Sequence, residues 1–225
     1  MTENWLVIET SGRVGQIGLA RDGTLVRTGL LDENRRHVRD LAPMVGSMLQ
    51  TEELKPAEVT GVMVSIGPGS YTGLRVGIAS AKAFAYATGC RLVAVPTFAA
   101  IALQAPLEAQ ELWVVADGLQ GSIYVQSYER TGAKDELRIE RAADVLPAAP
   151  QGAWFTGPGV EVYANLLPPG VSLVPESDRD PTLESLFRAG LKIAPLARQE
   201  LFALEPLYLR GSSAEEKAKA NEPRG

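Results

Sequence analysis

The tripeptide Gly-Pro-Gly occurs twice in this chain, each time between a short apolar run and a helix-like pattern. The first copy, Gly67-Pro68-Gly69, follows the apolar run 60–66, and the second, Gly157-Pro158-Gly159, follows the run 154–156. An apolar run that ends at glycine and proline is typical of a buried strand that leads into a turn. The repetition of strand, Gly-Pro-Gly and helix at matching places predicts a duplicated fold.

The apolar pattern of the first half predicts a meander of three strands, followed by alternating helices and strands. Asp22-Gly23 is a strong hairpin signal between the second and third strands. A meander followed by crossover units builds a mixed sheet with helices on its faces, which is an α/β fold. The predicted strands are 5–9, 14–20, 24–31, 60–66, 91–95, 112–117, 122–130, 136–140 and 154–156. The predicted helices are 36–50, 74–87, a short helix opened by Pro96, and 160–166.

The same patterns divide the chain into three parts. An N-terminal subdomain is expected over residues 1–104 and a C-terminal subdomain over residues 105–210, with the boundary near 104–110. Residues 211–225 have no apolar face, so a flexible tail is expected there.

The composition excludes several classes of function. Hydrophobic residues make up 45% of the chain and no apolar run is long enough to cross a membrane, so no membrane segment is expected. A single histidine, His37, and a single cysteine, Cys90, exclude paired-histidine and multi-thiolate metal sites, so no metal is expected. The net charge of −5 does not favour a protein that binds nucleic acid by itself. The acidic start, MTEN, does not favour a secretory signal, and a cytoplasmic protein is expected.

The loop GPGSYTG, residues 67–73, is the strongest local feature. Ser70 or Thr72 can cap the following helix, and Gly69 is expected to need a backbone conformation that branched residues cannot adopt. Arg75 falls in the first helical turn, where the helix dipole disfavours a cation that lacks an acidic partner or a bound anion. The loop therefore has two interpretations, an anion site or a tight structural turn. It matches neither GxGxxG, nor a P-loop, nor a nucleophile elbow, so Ser70 is not expected to be a nucleophile.

The turn Glu9-Thr10-Ser11 is a second candidate site. An acidic residue at the end of a first strand, before a hydroxyl-rich turn, is how actin-like ATPases begin their phosphate and magnesium site, and Asp117 is the counterpart in the second half. The alternative interpretation is that Glu9 only caps the turn, and no adenosine pocket can be identified. The candidate anion or nucleotide contacts are Glu9, Thr10, Ser11, Gly67, Gly69, Ser70, Thr72, Gly73 and Arg75.

The first predicted helix has an unusually wide apolar stripe. Its apolar residues recur at helical spacing, and Met44 widens the arc to roughly 160°, against about 100° for a simple surface helix. The helix either lies between the sheet and the other domain, or it also meets a partner. The basic cluster Arg35, Arg36, His37 and Arg39 at its start is interpreted as a solvated face. The second helix is rich in small residues, which would let another helix approach closely.

Five segments of the sequence resemble the TsaB (YeaZ) family. They are IETSG, RRHVRDLAPMVGSML, SIGPGSYTGLRVGIASAKAFA, VVADG and PLYLR, and they span nearly the whole chain to about residue 210. The GPGSYTGLRVGIASAKA segment is the most specific of them. The resemblance implies the actin-like (ASKHA, RNase H-like) duplicated fold with two subdomains, which agrees with the duplication predicted from the residues.

TsaB-like proteins are paralogues of TsaD, the metal-dependent subunit that transfers threonylcarbamoyl to the adenosine next to the anticodon of ANN-decoding tRNAs. The resemblance therefore implies a non-catalytic subunit without a cofactor that pairs with a TsaD-like protein. It also implies contact with a TsaE-like ATPase through the complex, indirect contact with tRNA, and a homodimer when the protein is alone. Nothing in the residues supports the older description of this superfamily as glycoproteases.

In the family, the face formed by the first helix and by the helix after the glycine loop pairs with TsaD or with a second copy. The candidate interface residues on these helices are Val38, Leu41, Met44, Val45, Met48, Leu74, Gly77, Ile78 and Ala81.

Two departures from the family pattern concern the candidate nucleotide site. Glu9 stands where family members usually have Asp, and Asp117-Gly118-Leu119 stands where many have Asp-Ala-Arg. Both departures argue against nucleotide chemistry in this chain. A stand-alone actin-like ATPase or phosphotransferase is the alternative hypothesis.

Overall fold

Two mixed β-sheets with the same strand arrangement form the framework of the protein. The computed structural model describes residues 2–31 and 37–207, without the side chains of residues 37–39. The expected flexible tail, 211–225, and the predicted basic cluster at the start of the first helix lie outside the described residues or side chains.

The first sheet has the strand order β3-β2-β1-β4-β5. Strands β1 to β3 form the predicted antiparallel meander, whereas β4 lies parallel to β1 and β5 lies parallel to β4. Asp22 and Gly23 have φ angles of 48° and 87°, which are the left-handed values that the predicted hairpin turn requires. The strands are β1 (Asn4–Glu9), β2 (Gln16–Arg21), β3 (Thr24–Leu30), β4 (Gly61–Ser65) and β5 (Arg91–Val95).

The second sheet repeats this arrangement. Its order is β11-β10-β6-β7-β8, and β9 also pairs with β7. Strand β6 is antiparallel to β7 and parallel to β10, as β1 is antiparallel to β2 and parallel to β4. The duplicated α/β fold is therefore confirmed. The strands are β6 (Leu112–Asp117), β7 (Ser122–Glu129), β8 (Gly132–Ala133), β9 (Arg138–Arg141), β10 (Trp154–Thr156) and β11 (Ser172–Leu173).

Helices cover both faces of the first sheet. The even-numbered residues of β1, Leu6 and Ile8, pack against the first two helices, and the odd-numbered residues Trp5 and Val7 pack against the last helix. The helices are α1 (His37–Thr51), α2 (Tyr71–Thr88), α3 (Thr97–Ala102), α4 (Ala142–Val145), α5 (Gly159–Val162) and α6 (Leu183–Gly190). Within the described ranges, no helix combines the length and the apolarity needed to cross a lipid bilayer.

Helix α6 was not predicted, and it brings the C-terminal part of the chain back to the first sheet. Thr182 caps it, because its hydroxyl accepts a hydrogen bond from the Ser185 N–H and the Ser185 hydroxyl oxygen accepts one from the Thr182 N–H. Phe187 is fully buried against the first sheet. Beyond the helix, the Leu196 N–H donates to the Leu92 carbonyl at 2.8 Å, and the Leu207 N–H donates to the Ile66 carbonyl at 2.8 Å.

Candidate functional site

A cleft of about 870 Å³ lies where the carboxyl ends of the central strands of the two sheets meet. Both Gly-Pro-Gly copies line it: Pro68 and Gly69 from the first half, Gly157 and Pro158 from the second. The residues that sequence reasoning assigned to the anion site converge here only in part. Those that line the cleft are Ser11, Gly69, Ser70, Thr72 and Gly73.

The GPGSYTG loop is held tightly against the turn after β1. The Ser70 N–H donates to the Ser11 carbonyl at 2.7 Å, and the Ser70 hydroxyl caps α2 by accepting from the Gly73 N–H at 3.2 Å. A methyl group on Gly69 would come within 2.5 Å of the Ser11 carbonyl oxygen. Gly69 does not have a left-handed φ, whereas Gly67 does, at 111°. The reason predicted for Gly69 was therefore wrong: its small size permits a close approach of two loops.

Arg75 does not line the cleft. Its guanidinium lies 4.2 Å from the ring centroid of Tyr71, one turn earlier on α2. A cation that stacks on an aromatic ring is stabilised there. Because α2 begins at Tyr71, Arg75 stands in the second turn and not in the first, and the contact with Tyr71 explains its position without a bound anion.

Glu9 is fully buried and does not line the cleft. Its Oε1 accepts hydrogen bonds from the N–H and the hydroxyl of Ser11, each at 2.5 Å. Burial raises the pKa of Glu9 to about 7, although the hydrogen bonds from Ser11 lower it. The Glu9 Oε2 and the Thr10 Oγ1 have no hydrogen-bond partner among the described residues. The geometry matches the alternative interpretation, in which Glu9 caps the turn.

Asp117, the counterpart of Glu9 in the second half, is exposed in the cleft. Its Oδ1 accepts from the Leu119 N–H at 2.9 Å and from the Tyr163 hydroxyl at 2.7 Å. Burial and the neighbouring Asp117 raise the pKa of Tyr163 to about 12, so this hydroxyl remains a donor near neutral pH.

Acidic residues outnumber basic ones around the cleft. No group of three or more histidine, cysteine, aspartate or glutamate residues in the described parts of the chain could hold a metal ion. An excess of carboxylates disfavours a polyphosphate, which carries the same sign of charge. The cleft lining includes the acids Asp117, Glu161, Glu176 and Asp180 and the bases Arg13 and Arg179. The charged residues beyond position 160 were not predicted from the sequence. Only tertiary packing brings residues 161–180 to the cleft beside the first sheet.

The candidate interface residues chosen from the sequence face mainly inward. Met44 is partly buried and lies over Gly29 of β3, and the side chain of Val38 is not among those described. Most of these residues are buried in the single chain and contribute to its core, and Leu41 and Val45 also line the groove described next. The buried ones are Leu41, Val45, Met48, Leu74, Gly77, Ile78 and Ala81.

The outer sides of α1 and α2 border an apolar groove of about 380 Å³. Leu6 and Ile8 of β1 are at its base, and small residues flank its mouth. We call four of these, Ala42 and Gly46 on α1 with Ser80 and Ala83 on α2, the groove rim. The wide apolar arc of α1 thus serves the core on one side and this groove on the other.

Comparisons with known proteins agree with this architecture. The protein-family model of TsaD, tRNA N6-adenosine threonylcarbamoyltransferase, matches residues 32–203. The tRNA threonylcarbamoyladenosine biosynthesis protein TsaB of Escherichia coli (strain K12) is 27% identical over 240 residues, which cover 96% of this chain and 99% of that protein. The TsaB of Bacillus subtilis (strain 168) is 27% identical over 124 residues, 55% of this chain and 54% of its own length.

Two further relatives cover most of the chain. An uncharacterised protein of Mycobacterium tuberculosis (strain ATCC 25618 / H37Rv) is 30% identical over 211 residues, 93% of this chain and 92% of that protein. The structure of YeaZ from Pseudomonas aeruginosa superposes with a TM-score of 0.75 at 21% identity, over 92% of this chain and 100% of that one. That structure shares the fold. Together these matches show that the chain belongs to the TsaB (YeaZ) family, within the wider group described by the TsaD model.

Proposed function

We propose that this protein is a non-catalytic subunit of a tRNA threonylcarbamoyltransferase complex, and that it acts by pairing with a TsaD-like paralogue. Membership of the TsaB (YeaZ) family supports a role in tRNA threonylcarbamoyladenosine biosynthesis. Pairing takes place over the groove rim of α1 and α2, and a second copy occupies the same face when the paralogue is absent. A TsaE-like ATPase and the tRNA are reached through the complex.

Gly46 is the observation that carries the proposal. It lies in the middle of α1 and is exposed, and no atom of residues 2–31 or 40–207 lies within 4 Å of the place where a Cβ would stand. Glycine in a helix interior costs roughly 1 kcal/mol relative to alanine. Nothing in the described parts of the chain requires that cost, whereas the close approach of another backbone would.

The rest of the groove rim supports the same conclusion. Ala83 is exposed on α2 and Ala42 is exposed on α1, so both sides of the groove present small side chains to the outside. The groove between them reaches the apolar side chains of β1. A partner helix can therefore come close and bury an apolar side chain, which is the arrangement that stabilises helical interfaces.

The candidate site supports a non-catalytic role. Glu9 is buried beneath the loops with its hydroxyl partner Ser11, and the cleft has more acids than bases. The buried Glu9 does not reach a ligand in the cleft, and the excess of acids disfavours a phosphate that no cation neutralises. We therefore assign the chemistry to the paralogue.

The test is reconstitution with the TsaD-like paralogue and the TsaE-like ATPase from the same cell. We expect the two paralogues to co-elute and threonylcarbamoylation of ANN-decoding tRNA to require this chain. Full activity of the paralogue without this chain, or failure of the two to associate, would show the proposal to be wrong.

A stand-alone actin-like ATPase or phosphotransferase is the second candidate, and the large cleft at the carboxyl ends of the strands favours it. An ATPase assay on the purified protein distinguishes the two candidates, because a scaffold subunit does not hydrolyse ATP at a useful rate by itself.

A further inference from the structure

A second cavity, of about 490 Å³, lies on the other side of α3 from the cleft. Thr97, Phe98 and Ile101 of α3 line the cleft, whereas Ala99 and Ala102 line the second cavity. Its other walls are the segment 103–109, the β7–β8 hairpin and the end of α6. We call it the α3–α6 pocket. It shares no lining residue with the cleft or with the groove between α1 and α2.

The α3–α6 pocket has an apolar interior. Leu103, Leu112 and Ile193 contribute aliphatic surface. Tyr128 is 6% exposed, and its hydroxyl donates to the Gln126 Oε1 at 2.8 Å, so its polar end is already satisfied within the protein. Pockets of roughly 300–1,000 Å³ with mostly apolar walls are the usual sites for small ligands. An alkyl chain suits this interior.

The charged groups at the pocket are predominantly basic. Arg188, in the last turn of α6, and Lys192, two residues beyond the helix, are exposed, and neither side chain makes an ion pair or a hydrogen bond with any described residue. Glu129 is the acidic residue among those that line the pocket, and the Lys134 Nζ lies 3.6 Å from its Oε1. Arg130 donates to the Leu107 carbonyl at 2.6 Å, which fixes a third cation at the rim.

We propose that the α3–α6 pocket binds an amphipathic anion, a small molecule with an alkyl chain and a carboxylate head group. The chain would enter the apolar interior, and the head group would pair with Arg188 and Lys192. A neutral apolar ligand would leave both cations without a counter-charge, and a small inorganic anion would leave the apolar walls uncovered. This inference is independent of the proposed role in tRNA modification.

The position of the pocket gives such a ligand a structural consequence. It would contact α6, which packs on the first sheet, and the β7–β8 hairpin of the second sheet. A ligand that binds only the folded protein raises the midpoint of thermal unfolding. Binding is therefore expected to stabilise the full chain against heat.

Octanoate is the probe for calorimetric titration, with octylamine, octanol and inorganic phosphate as comparison ligands. We expect saturable binding of one octanoate per chain, at least tenfold weaker binding of each comparison ligand, and a higher unfolding midpoint with octanoate. Equal binding of octylamine or octanol would contradict the role of the cations. Equal binding of phosphate would contradict the role of the apolar walls, and absence of saturable octanoate binding would overturn the proposal.

Variants locate the site. Arg188→Gln and Lys192→Gln should each weaken octanoate binding about tenfold, because a charge-assisted hydrogen bond is replaced by a weaker neutral one. Ala105→Phe should abolish binding by filling the pocket, and Arg141→Gln, an exposed cation outside the pocket, should leave it unchanged. If Ala105→Phe does not fold, the variants Arg188→Gln and Lys192→Gln still test whether octanoate binds in the α3–α6 pocket. Unchanged affinity in both of them would reject the assignment.

Discussion

The carboxylate of Glu9 accepts hydrogen bonds from both the backbone N–H and the hydroxyl of Ser11, each at 2.5 Å, two residues further along the chain. This local pair closes the turn after β1 beneath the cleft. Because Glu9 is fully buried, the pair exists in an environment that disfavours the ionised carboxylate. The stability of the fold should therefore depend on the protonation of this one group.

Glu9→Gln should remove a pH dependence of stability. The pKa of Glu9 is raised from 4.5 to about 7 in the folded chain, so between these values the unfolded chain loses a proton that the folded chain keeps. The free energy of unfolding should then fall by about 3 kcal/mol as pH rises from 4.5 to 7. The glutamine oxygen can accept the same hydrogen bonds from Ser11 without ionising. Urea unfolding should show equal stabilities below pH 4.5 and a more stable variant above pH 7; parallel curves would contradict the assignment.

Two glycines offer a matched comparison of close approach and open space. Gly69→Ala should destabilise the protein by about 1–3 kcal/mol, because the new methyl group would press on the Ser11 carbonyl oxygen. Gly46→Ala should instead stabilise it by about 0.5–1 kcal/mol, because the new methyl group meets no atom of the described residues and alanine has the higher helix propensity. Denaturant unfolding of both variants measures the change in the free energy of unfolding, which should be negative for Gly69→Ala and positive for Gly46→Ala. A stabilising Gly69→Ala would show that the two loops are not in tight contact.

Ser70→Ala tests whether this hydroxyl has any role beyond the helix cap. We expect a loss of about 1 kcal/mol in the free energy of unfolding, because the Gly73 N–H loses its side-chain partner. Pairing with the paralogue should be unchanged. Normal stability together with a loss of pathway activity would reveal a chemical role for Ser70.

Gly46→Glu should abolish pairing and leave the fold intact. The side chain points into open space in the single chain, so the folded monomer accommodates it, whereas a charge buried at a helical interface costs several kcal/mol. Ala83→Glu on the opposite side of the groove should act in the same way. Ala143→Glu, at an exposed position on α4 outside the groove, is the control. Light scattering and co-elution with the paralogue should show a folded monomer; a Gly46→Glu protein that stays dimeric and binds the paralogue would place the interface elsewhere.

Two phenylalanines of the C-terminal segment should differ strongly in their contribution to stability. Phe187→Ala on α6 should cost about 3–5 kcal/mol, because it leaves a cavity against the first sheet. Phe202 is 67% exposed and touches Tyr86 edge-on, with a centroid separation of 5.6 Å, so Phe202→Ala should cost less than about 1.5 kcal/mol. Thermal and chemical unfolding measure both. Similar losses would mean that α6 does not anchor the segment to the first sheet.

Much of the architecture follows from the sequence because its elements have strong local signals. The hairpin at Asp22-Gly23 and the strands 91–95, 112–117 and 154–156 are where the residues predict them. Helix α6 also has a local signal, the cap at Thr182 followed by an apolar stripe, which sequence reasoning overlooked. Burial of Glu9 has no such signal, because an acidic residue at a strand end is equally compatible with an exposed ligand site and with a buried cap.

The sequence by itself predicts the duplicated α/β fold, since two apolar runs that each end at Gly-Pro-Gly before a helical pattern favour buried strands at matching places. Tertiary structure alone decides which side of a wide apolar arc faces the core. On α1, Met48 packs over Gly29 of β3, whereas Leu41 and Val45 line the groove that Ala42 and Gly46 border on the outside. Helical periodicity fixes the directions in which these side chains leave the helix axis. Only the packing of neighbouring elements determines which of those directions are buried.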